Sequence, residues 1–293
     1  MHLIKLLVTF EVKNLSEKNK ESSTFYLVFP WAEGDLWHFW RKHDALEQRI
    51  PRCLWMAEQC FQLARALRCV HNERDIHLPK FLDVPENEHD LYGRHGDVKA
   101  DNVLWYKREN DTLVIADFGL GRLHTRISRS NQTPKDLERS ATYRAPEFDT
   151  EEGKISRACD IFSLGCMFLE FITWHLEGFK SVNKDFPEHR LEQDMYNFQS
   201  DTFFRIEKHP GNVRKPIIKP KIIEWIRRLK QNQYCSNYHV QFLDLIEKRM
   251  LHPNSGERIR SPELVRHLDL FATACRTDSS YYKDPVLSSQ LPD

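Results

Sequence analysis

The stretch "RHGDVKADNVLWYKRENDTLVIADFGLGR", residues 94–122, decides what kind of fold this chain can adopt. Two short runs in it, "NVLWY" and "LVIADFG", are rich in β-branched and aromatic residues, which favours β-strands. The polar segment "KRENDT" between them predicts a turn. Asn102 belongs to the first run and Asp117 to the second, so the two strands can bring these side chains together.

The polar side chains of this stretch meet the requirements of phosphoryl transfer from ATP. Mg²⁺ prefers oxygen ligands, and Asn102 and Asp117 can supply them. Asp97, five residues before Asn102, can project from its loop toward a substrate hydroxyl and accept its proton. Lys99 shares a face with Asp97 in an extended loop and can steady migrating negative charge. Asp101 lies between these positions, and we interpret it as a solvated, non-catalytic carboxylate.

Composition narrows the classes of protein to consider. The 293 residues include 43 basic and 43 acidic side chains, so the net charge is zero, which argues against a nucleic-acid partner. The 7 cysteines are odd in number and contain no C-x-x-C pair. This pattern argues against disulfide staples and zinc sites and favours a reducing compartment, so we expect an intracellular protein, cytoplasmic or nuclear. No uncharged apolar run reaches the ~18 residues of a membrane span, and we expect no membrane partner.

The remaining patterns predict a β-hairpin followed by helices. "HLIKLLVTFEV" and "STFYLVFPW" read as two strands around a polar turn. Apolar spacing predicts helices in "DLWHFWRKH" and "RCLWMAEQCFQLARALRCVH", and again from "SRACDIFSLGCMFLEFITW" to about residue 276. We expect loops near residues 181–190 and 207–220, and a surface insertion at 72–92 whose role the sequence does not reveal. Residues 277–293 are expected to form a flexible tail.

Five motifs in fixed order make the chain resemble the eukaryotic protein kinase family. They are "HGDVKADN" at 95–102, "DFG" at 117–119, "YRAPE" at 143–147, "CDIFSLGC" at 159–166 and "HPNSGERIRSPELVRHLDLF" at 252–271. An ordered set of this kind is far more specific than one short motif. By the same resemblance, Lys99 in the catalytic loop indicates the serine/threonine type, which implies a protein substrate with a Ser or Thr hydroxyl.

The resemblance implies structural roles for several polar residues. His95 is expected to pack beneath Phe118 rather than act in catalysis. Asp160 is expected to anchor the backbone of the catalytic loop, and Glu147 to pair with Arg258. The implied fold is α+β and protein-kinase-like. It has a mainly helical large lobe at residues 36–276 and a remnant hairpin of the small lobe, with the hinge, at residues 1–35. The oligomeric state stays open.

The resemblance also implies a nucleotide site for ATP with Mg²⁺. Phe29 falls at the back of the adenine pocket, and the hinge follows it at Pro30, Trp31 and Ala32. Two further residues complete the expected site, Asp35 at the ribose and Leu104 beneath the base.

The chain also departs from the family pattern. Gly96 stands where the family usually has an Arg that reads an activation-segment phosphate, so control by such a phosphate is not expected. Ser140 and Thr142 both remain candidates for the residue that faces the substrate hydroxyl. No Gly precedes Gly34, and the glycine-rich loop, the strand Lys and its partner helix are not found. We therefore expect an N-terminally truncated kinase domain of weak or no activity. The alternatives are a pseudokinase that acts as a protein-binding module and an incomplete gene model.

Overall fold

Helices are the predominant regular structure in the part of the chain that the computed structural model describes. It describes residues 2–15, 21–71, 92–107, 110–117, 122–124, 142–150, 155–193, 199–210 and 213–286. The described helices are α1 (Leu36–Lys42), α2 (Leu46–Arg49), α3 (Cys53–His71), α4 (Ala158–Glu177), α5 (Phe186–Arg190), α6 (Pro220–Lys230), α7 (Asn237–Leu245), α8 (Ser261–Thr277) and α9 (Ser280–Lys283). This agrees with the expected α+β class, whereas the division at residue 35 into two lobes stays a prediction.

The strands form small antiparallel sheets. They are β1 (Val8–Leu15), β2 (Glu21–Val28), β3 (Gly34–Asp35), β4 (Tyr92–Arg94), β5 (Val103–Tyr106), β6 (Thr112–Ile115), β7 (Arg122–His124), β8 (Glu192–Gln193), β9 (Gln199–Ser200), β10 (Phe204–His209) and β11 (Val213–Ile218). The hairpin of β1 and β2 is confirmed, with Phe10 opposite Tyr26 and their rings stacked 4.9 Å apart. Apolar side chains of this hairpin remain exposed on both of its faces, among the residues that the structure describes.

A three-stranded sheet in the order β3-β5-β6 carries the polar stretch of the sequence. The turn between β5 and β6 is held by Asp111, whose backbone is left-handed with φ 47°. Its carboxylate accepts hydrogen bonds from Trp105 Nε1 at 3.0 Å and from Arg52 Nη1 at 2.9 Å. Residues 2–4 run parallel beside β6, since Ile115 N donates to His2 O at 2.9 Å. The turn and the β6 edge of this sheet are therefore fixed by contacts within the chain.

Helix α4 lies at the centre of the core, and nearly all of its residues are buried. A helix that is apolar all round must be covered on every side. By length and composition alone this helix is apolar enough to cross a membrane, contrary to the expectation from uncharged runs, but 94% of its apolar window is buried inside the protein. Two acids, Asp160 and Glu170, are buried in the same helix and need partners there.

Two predicted loops are wrong. Residues 181–190 continue as a helical turn and helix α5, because Phe186 is fully buried and stacks on Trp225 at 4.9 Å. Residues 207–220 contain most of the antiparallel hairpin of β10 and β11. Pro216 suggested a loop, but in a two-stranded hairpin a proline can occupy an outward-facing position without breaking the ladder.

The described part of the tail is packed rather than loose. Val286 N donates to Cys235 O at 2.8 Å, and Tyr281 OH donates to Gln241 Oε1 at 2.9 Å. Tyr281 and Tyr282 also pack against the core and so supply apolar contact for this part of the tail. Residues 287–293 lie outside the described residues, as does most of the 72–92 insertion.

Candidate active site

The backbone of the loop at residues 95–99 is held by one buried carboxylate of helix α4. Asp160 Oδ2 accepts from His95 N and Asp160 Oδ1 from Gly96 N, each at 2.9 Å. His71 Nε2 lies 2.8 Å from the same Oδ2. Burial alone would raise the pKa of Asp160, but the hydrogen bonds from His71 and from the loop outweigh it and leave that pKa below its usual value. The anchoring role expected for Asp160 is confirmed.

Gly96 has a φ of 87°, in the left-handed region that favours glycine. The neighbouring His95 is fully buried, and its Nε2 lies 2.9 Å from Ala116 O. Its Nδ1 accepts the Asp97 peptide N–H at 3.3 Å. His95 thus ties the loop to the end of β6, as expected of a structural residue, although Phe118 lies outside the described residues.

Asp97, Lys99 and Asn102 converge on a single carboxylate. Asp97 Oδ2 is 3.0 Å from Lys99 Nζ and accepts Asn102 Nδ2 at 2.9 Å. Asn102 Nδ2 also donates to the Asp97 carbonyl oxygen at 2.8 Å. Within the described chain, no protein hydrogen bond is made to the other oxygen, Oδ1, of Asp97. The side chain is held in one orientation with one oxygen still able to meet a substrate hydroxyl.

Asn102 and Asp117 flank the β5–β6 hairpin rather than lying within its strands. Asn102 ends a short 3₁₀ turn, and its carbonyl oxygen accepts from Ala116 N at 2.9 Å, one residue before Asp117. Because the amide nitrogen of Asn102 is engaged by Asp97, its oxygen Oδ1 is the atom that can coordinate a cation. Asp117 is exposed, with an unusual left-handed φ of 61°. An amide oxygen and a carboxylate at adjoining backbone positions fit a Mg²⁺ site.

Strand β5 joins the expected nucleotide residues to this loop. Asp35 pairs with Leu104 in the sheet, and Tyr106 OH donates to the Pro30 carbonyl at 3.2 Å. Pro30, Ala32 and Leu104 are half-buried. The Asp35 carboxylate has a structural role that the sequence did not predict. Its Oδ1 accepts from His38 N at 2.7 Å and caps helix α1, so Oδ2 is the oxygen left for a ligand.

The expected pair of Glu147 and Arg258 is confirmed. Arg258 Nη1 and Nη2 donate to the two carboxylate oxygens of Glu147 at 2.9 and 3.0 Å, and both residues are buried. Arg258 Nη1 also donates to Ala158 O at 2.6 Å. The pair therefore links the end of the segment 142–150 to the start of helix α4.

A second buried network was not predicted from the sequence. Tyr143 OH donates to Glu170 Oε2 at 2.6 Å, and Arg190 Nη2 lies 3.3 Å from Glu170 Oε1 and 3.6 Å from Asp201 Oδ2. Burial raises the pKa of Glu170 to about 7 against the opposing effect of Arg190. Thr142 Oγ1 donates to Asp201 Oδ2 at 2.9 Å, so this hydroxyl is engaged away from Asp97. A charged Glu170 within the apolar run "CMFLEFITW" was the signal available for this network.

Ser140, a candidate for the residue that faces the substrate hydroxyl, lies outside the described residues, as do the other activation-segment hydroxyls of Ser128, Ser130 and Thr133.

Two further residues of the 94–122 stretch are described. Trp105 is buried and packs against Phe39 at 5.3 Å. Asp101 is exposed, as expected for a solvated side chain.

Comparison with known proteins agrees with the order of motifs. Residues 86–268, more than half of the 293-residue chain, match the family model of the protein kinase domain. The chain is 31% identical over 160 residues to cyclin-dependent kinase B2-2 of Arabidopsis thaliana, which covers 53% of this chain and 42% of that protein. It is 26% identical over 270 residues to probable cyclin-dependent kinase 8 of Dictyostelium discoideum, which covers 85% of this chain and 61% of that protein.

A third similar protein is a serine/threonine-protein kinase of Candida albicans, 31% identical over 159 residues, with 51% of this chain and 18% of that protein covered. The matched parts thus span between 18% and 61% of the length of these relatives. From the matched domain and the motifs in their places around Asp160, the chain belongs to the eukaryotic serine/threonine protein kinase family.

Proposed function

We propose that this chain transfers the γ-phosphoryl group of ATP to a Ser or Thr hydroxyl of a protein substrate. The observation that carries the proposal is the arrangement around Asp97. Lys99 and Asn102 both bind its Oδ2 within 3.0 Å, which holds the carboxylate in one orientation and leaves Oδ1 for the incoming hydroxyl. A general base must lie in hydrogen-bond reach of the proton that it accepts, and a fixed orientation increases the time spent in that geometry.

Lys99 contributes a positive charge beside the reacting groups. Its ammonium group is bound to Asp97 and only partly exposed. A positioned cation of this kind stabilises the negative charge that develops on the transferred group. We assign Asp97 the role of base and Lys99 that of electrostatic stabilisation.

The metal and nucleotide positions follow from the same strands. Asn102 Oδ1 and the Asp117 carboxylate would hold Mg²⁺, which neutralises phosphate oxygens when ATP is bound. The backbone of Pro30 and Ala32, the Asp35 carboxylate and the Leu104 side chain would hold the nucleoside.

The test compares two neighbouring acids of the same loop. Transfer of labelled phosphate from Mg-ATP to a mixture of Ser- and Thr-containing peptides is measured for the unmodified chain, for Asp97→Asn and for Asp101→Asn. We expect Asp97→Asn to abolish transfer and Asp101→Asn, at an exposed position, to retain it. Most activity surviving in Asp97→Asn, or equal loss in both variants, would remove Asp97 from the role of base.

A second candidate function is supported by the exposed apolar hairpin of β1 and β2. Such a surface is typical of a binding site for another protein. If the unmodified chain transfers no more phosphate than Asp97→Asn at millimolar Mg-ATP, the protein-binding alternative becomes the better account.

A further inference from the structure

A thiol and two imidazoles meet in the core, away from the residues assigned to ATP and Mg²⁺. They come from the first residue of α3 (Cys53), the last turn of α4 (His175) and the first turn of α7 (His239). His239 Nε2 lies 3.1 Å from His175 Nδ1 and 3.7 Å from Cys53 Sγ, and all three atoms lie within 4.8 Å of one another. All three residues are buried.

Contacts from outside the cluster fix the His239 ring and the backbone of His175. His239 Nδ1 lies 2.8 Å from Ser236 Oγ and accepts Ser236 N at 3.1 Å, within the capping box that begins helix α7. The carbonyl of His175 accepts Arg49 Nη1 at 2.8 Å. The capping box therefore orients the His239 ring, and Arg49 fixes the helix end that carries His175, in addition to the hydrogen bond between the two rings.

In the unliganded cluster the two rings share one hydrogen bond. Because Ser236 N–H donates to Nδ1 of His239, the ring proton of His239 is on Nε2 and serves one good acceptor, His175 Nδ1. The Cys53 sulfur lies 3.7 Å from the nitrogen that carries this proton.

We propose that Cys53, His175 and His239 bind one soft divalent cation of the zinc class. Two nitrogens bound to one tetrahedral zinc are about 3.3–3.4 Å apart, and a bound sulfur and nitrogen about 3.6 Å apart. The separations in this cluster, 3.1 Å between the nitrogens and 3.7 Å from nitrogen to sulfur, lie close to these values. The third distance, from Cys53 Sγ to His175 Nδ1, is at most 4.8 Å and reaches the bound value with a movement of the Cys53 side chain on the order of 1 Å. Three protein ligands leave the fourth position for water.

The protons and charges that change on metal binding can be accounted for by groups of this chain and by solvent. The Cys53 thiol loses its proton to solvent as the sulfur–metal bond forms. The His239 proton moves from Nε2 to Nδ1, where Ser236 Oγ can accept it in place of the peptide N–H donating to that nitrogen. A divalent ion and one thiolate leave a net charge of +1 near Arg49, whose guanidinium is compensated by two carbonyls and lies 3.9 Å from Asp44.

The spacing of the cysteines in the sequence could not reveal such a site. The ligands are separated by more than a hundred residues and by 64 residues along the chain, and each comes from a different helix. If occupied, the site would join α3, α4 and α7 at one point. It uses none of the residues assigned to phosphoryl transfer, so its failure would leave the proposed function untouched.

The test uses the full chain and a matched cysteine control. Protein stripped with a chelator is titrated with Zn²⁺, and with Co²⁺ as a spectroscopic probe, in the unmodified chain, Cys53→Ala and Cys60→Ala. Cys60 is also a fully buried cysteine of α3 but is not part of the cluster. We expect one equivalent of metal, a higher Tm and a thiolate-to-Co²⁺ absorption band in the unmodified chain and in Cys60→Ala. Cys53→Ala should bind at least about tenfold more weakly, without the band.

Two results would overturn the proposal. One is the absence of a stoichiometric metal and of the thiolate band in the unmodified chain, a measurement that does not depend on how any variant folds. The other is equal binding by Cys53→Ala and Cys60→Ala, which would identify the metal as adventitious.

Discussion

The catalytic loop and the β1–β2 hairpin differ in what they bury: the loop buries polar groups, and the hairpin leaves apolar side chains exposed. In the loop, His95 is 0% exposed and its backbone and ring are both hydrogen-bonded. In the hairpin, Phe25 is 71% exposed, and nearby Trp31 is 92% exposed. Polar groups of the loop are paired inside the protein, whereas apolar groups of the hairpin face outward. The loop therefore finds its hydrogen-bond partners within the chain, whereas the hairpin leaves apolar surface that another protein surface can cover.

The largest effect is expected where the helical part loses a buried partner. Arg258→Ala removes a bidentate pair and leaves Glu147 buried and uncompensated, so we expect the free energy of unfolding to fall by about 3–5 kcal/mol. Urea unfolding measures this change.

An exposed arginine provides the matched control for Arg258. Arg249 pairs with Glu263 at 2.8 Å with both side chains substantially exposed. Arg249→Ala should cost less than about 1 kcal/mol. Similar losses in the two variants would mean that burial does not separate these pairs as argued.

The next effect concerns ligand binding to the ordered loop. At a hundred times its Kd, Mg-ATP should stabilise the chain by about 2.7 kcal/mol if only the folded state binds. Thermal unfolding with and without Mg²⁺ measures it. Asp117→Asn should remove most of the Mg²⁺-dependent part, and Asp101→Asn should keep it. No Mg²⁺-dependent shift up to millimolar ATP would contradict the assignment of these ligands.

A smaller effect is expected from phosphates on the activation segment. Gly96 has no side chain with which to bind a phosphate, so phosphatase treatment or a triple alanine variant at Ser128, Ser130 and Thr133 should change transfer by less than tenfold, about 1.4 kcal/mol of barrier. Activity is compared with that of Asp97→Asn as background. A larger loss would show that another cation, such as Arg122, reads the phosphate.

The smallest change in stability is expected in the hairpin. Phe25→Thr with Leu27→Thr replaces exposed apolar side chains on one face of β2, so the free energy of unfolding should change by about 0.5 kcal/mol or less. Self-association, measured by sedimentation, should decrease because the apolar surface is smaller.

The control for the hairpin is an equally apolar side chain elsewhere. Leu270 of helix α8 is 66% exposed. Leu270→Thr should leave association unchanged. A hairpin variant that unfolds easily, or a Leu270 variant that dissociates equally well, would break the contrast between the two regions.

Local patterns predicted the parts of the site that follow one another in the chain. The spacing of Asp97, Lys99 and Asn102 placed three groups on one loop, and the structure brings Lys99 and Asn102 within 3.0 Å of the Asp97 carboxylate. The distant role of Asp160 was predicted by the resemblance to the kinase family, since local spacing says nothing about it.

Partners that depend on packing could not be predicted in the same way. Thr142 binds Asp201, which comes 59 residues later, and nothing in either local pattern pairs them. The cap that Asp35 provides for α1 competes with its expected role at a ribose, and only the observed hydrogen bond reveals it. The β10–β11 hairpin was missed because Pro216 is a loop signal in the sequence and a tolerated strand residue in an isolated hairpin.

The carboxylate of Asp160 makes part of a loop behave like core. Amide protons in loops usually exchange with solvent quickly, since local opening costs little. The amides of His95 and Gly96 instead donate to a side chain of the central helix, 65 and 64 residues away in the chain. Their exchange with deuterium should therefore follow the opening of helix α4. The lifetime of the site's geometry would then be that of the fold itself.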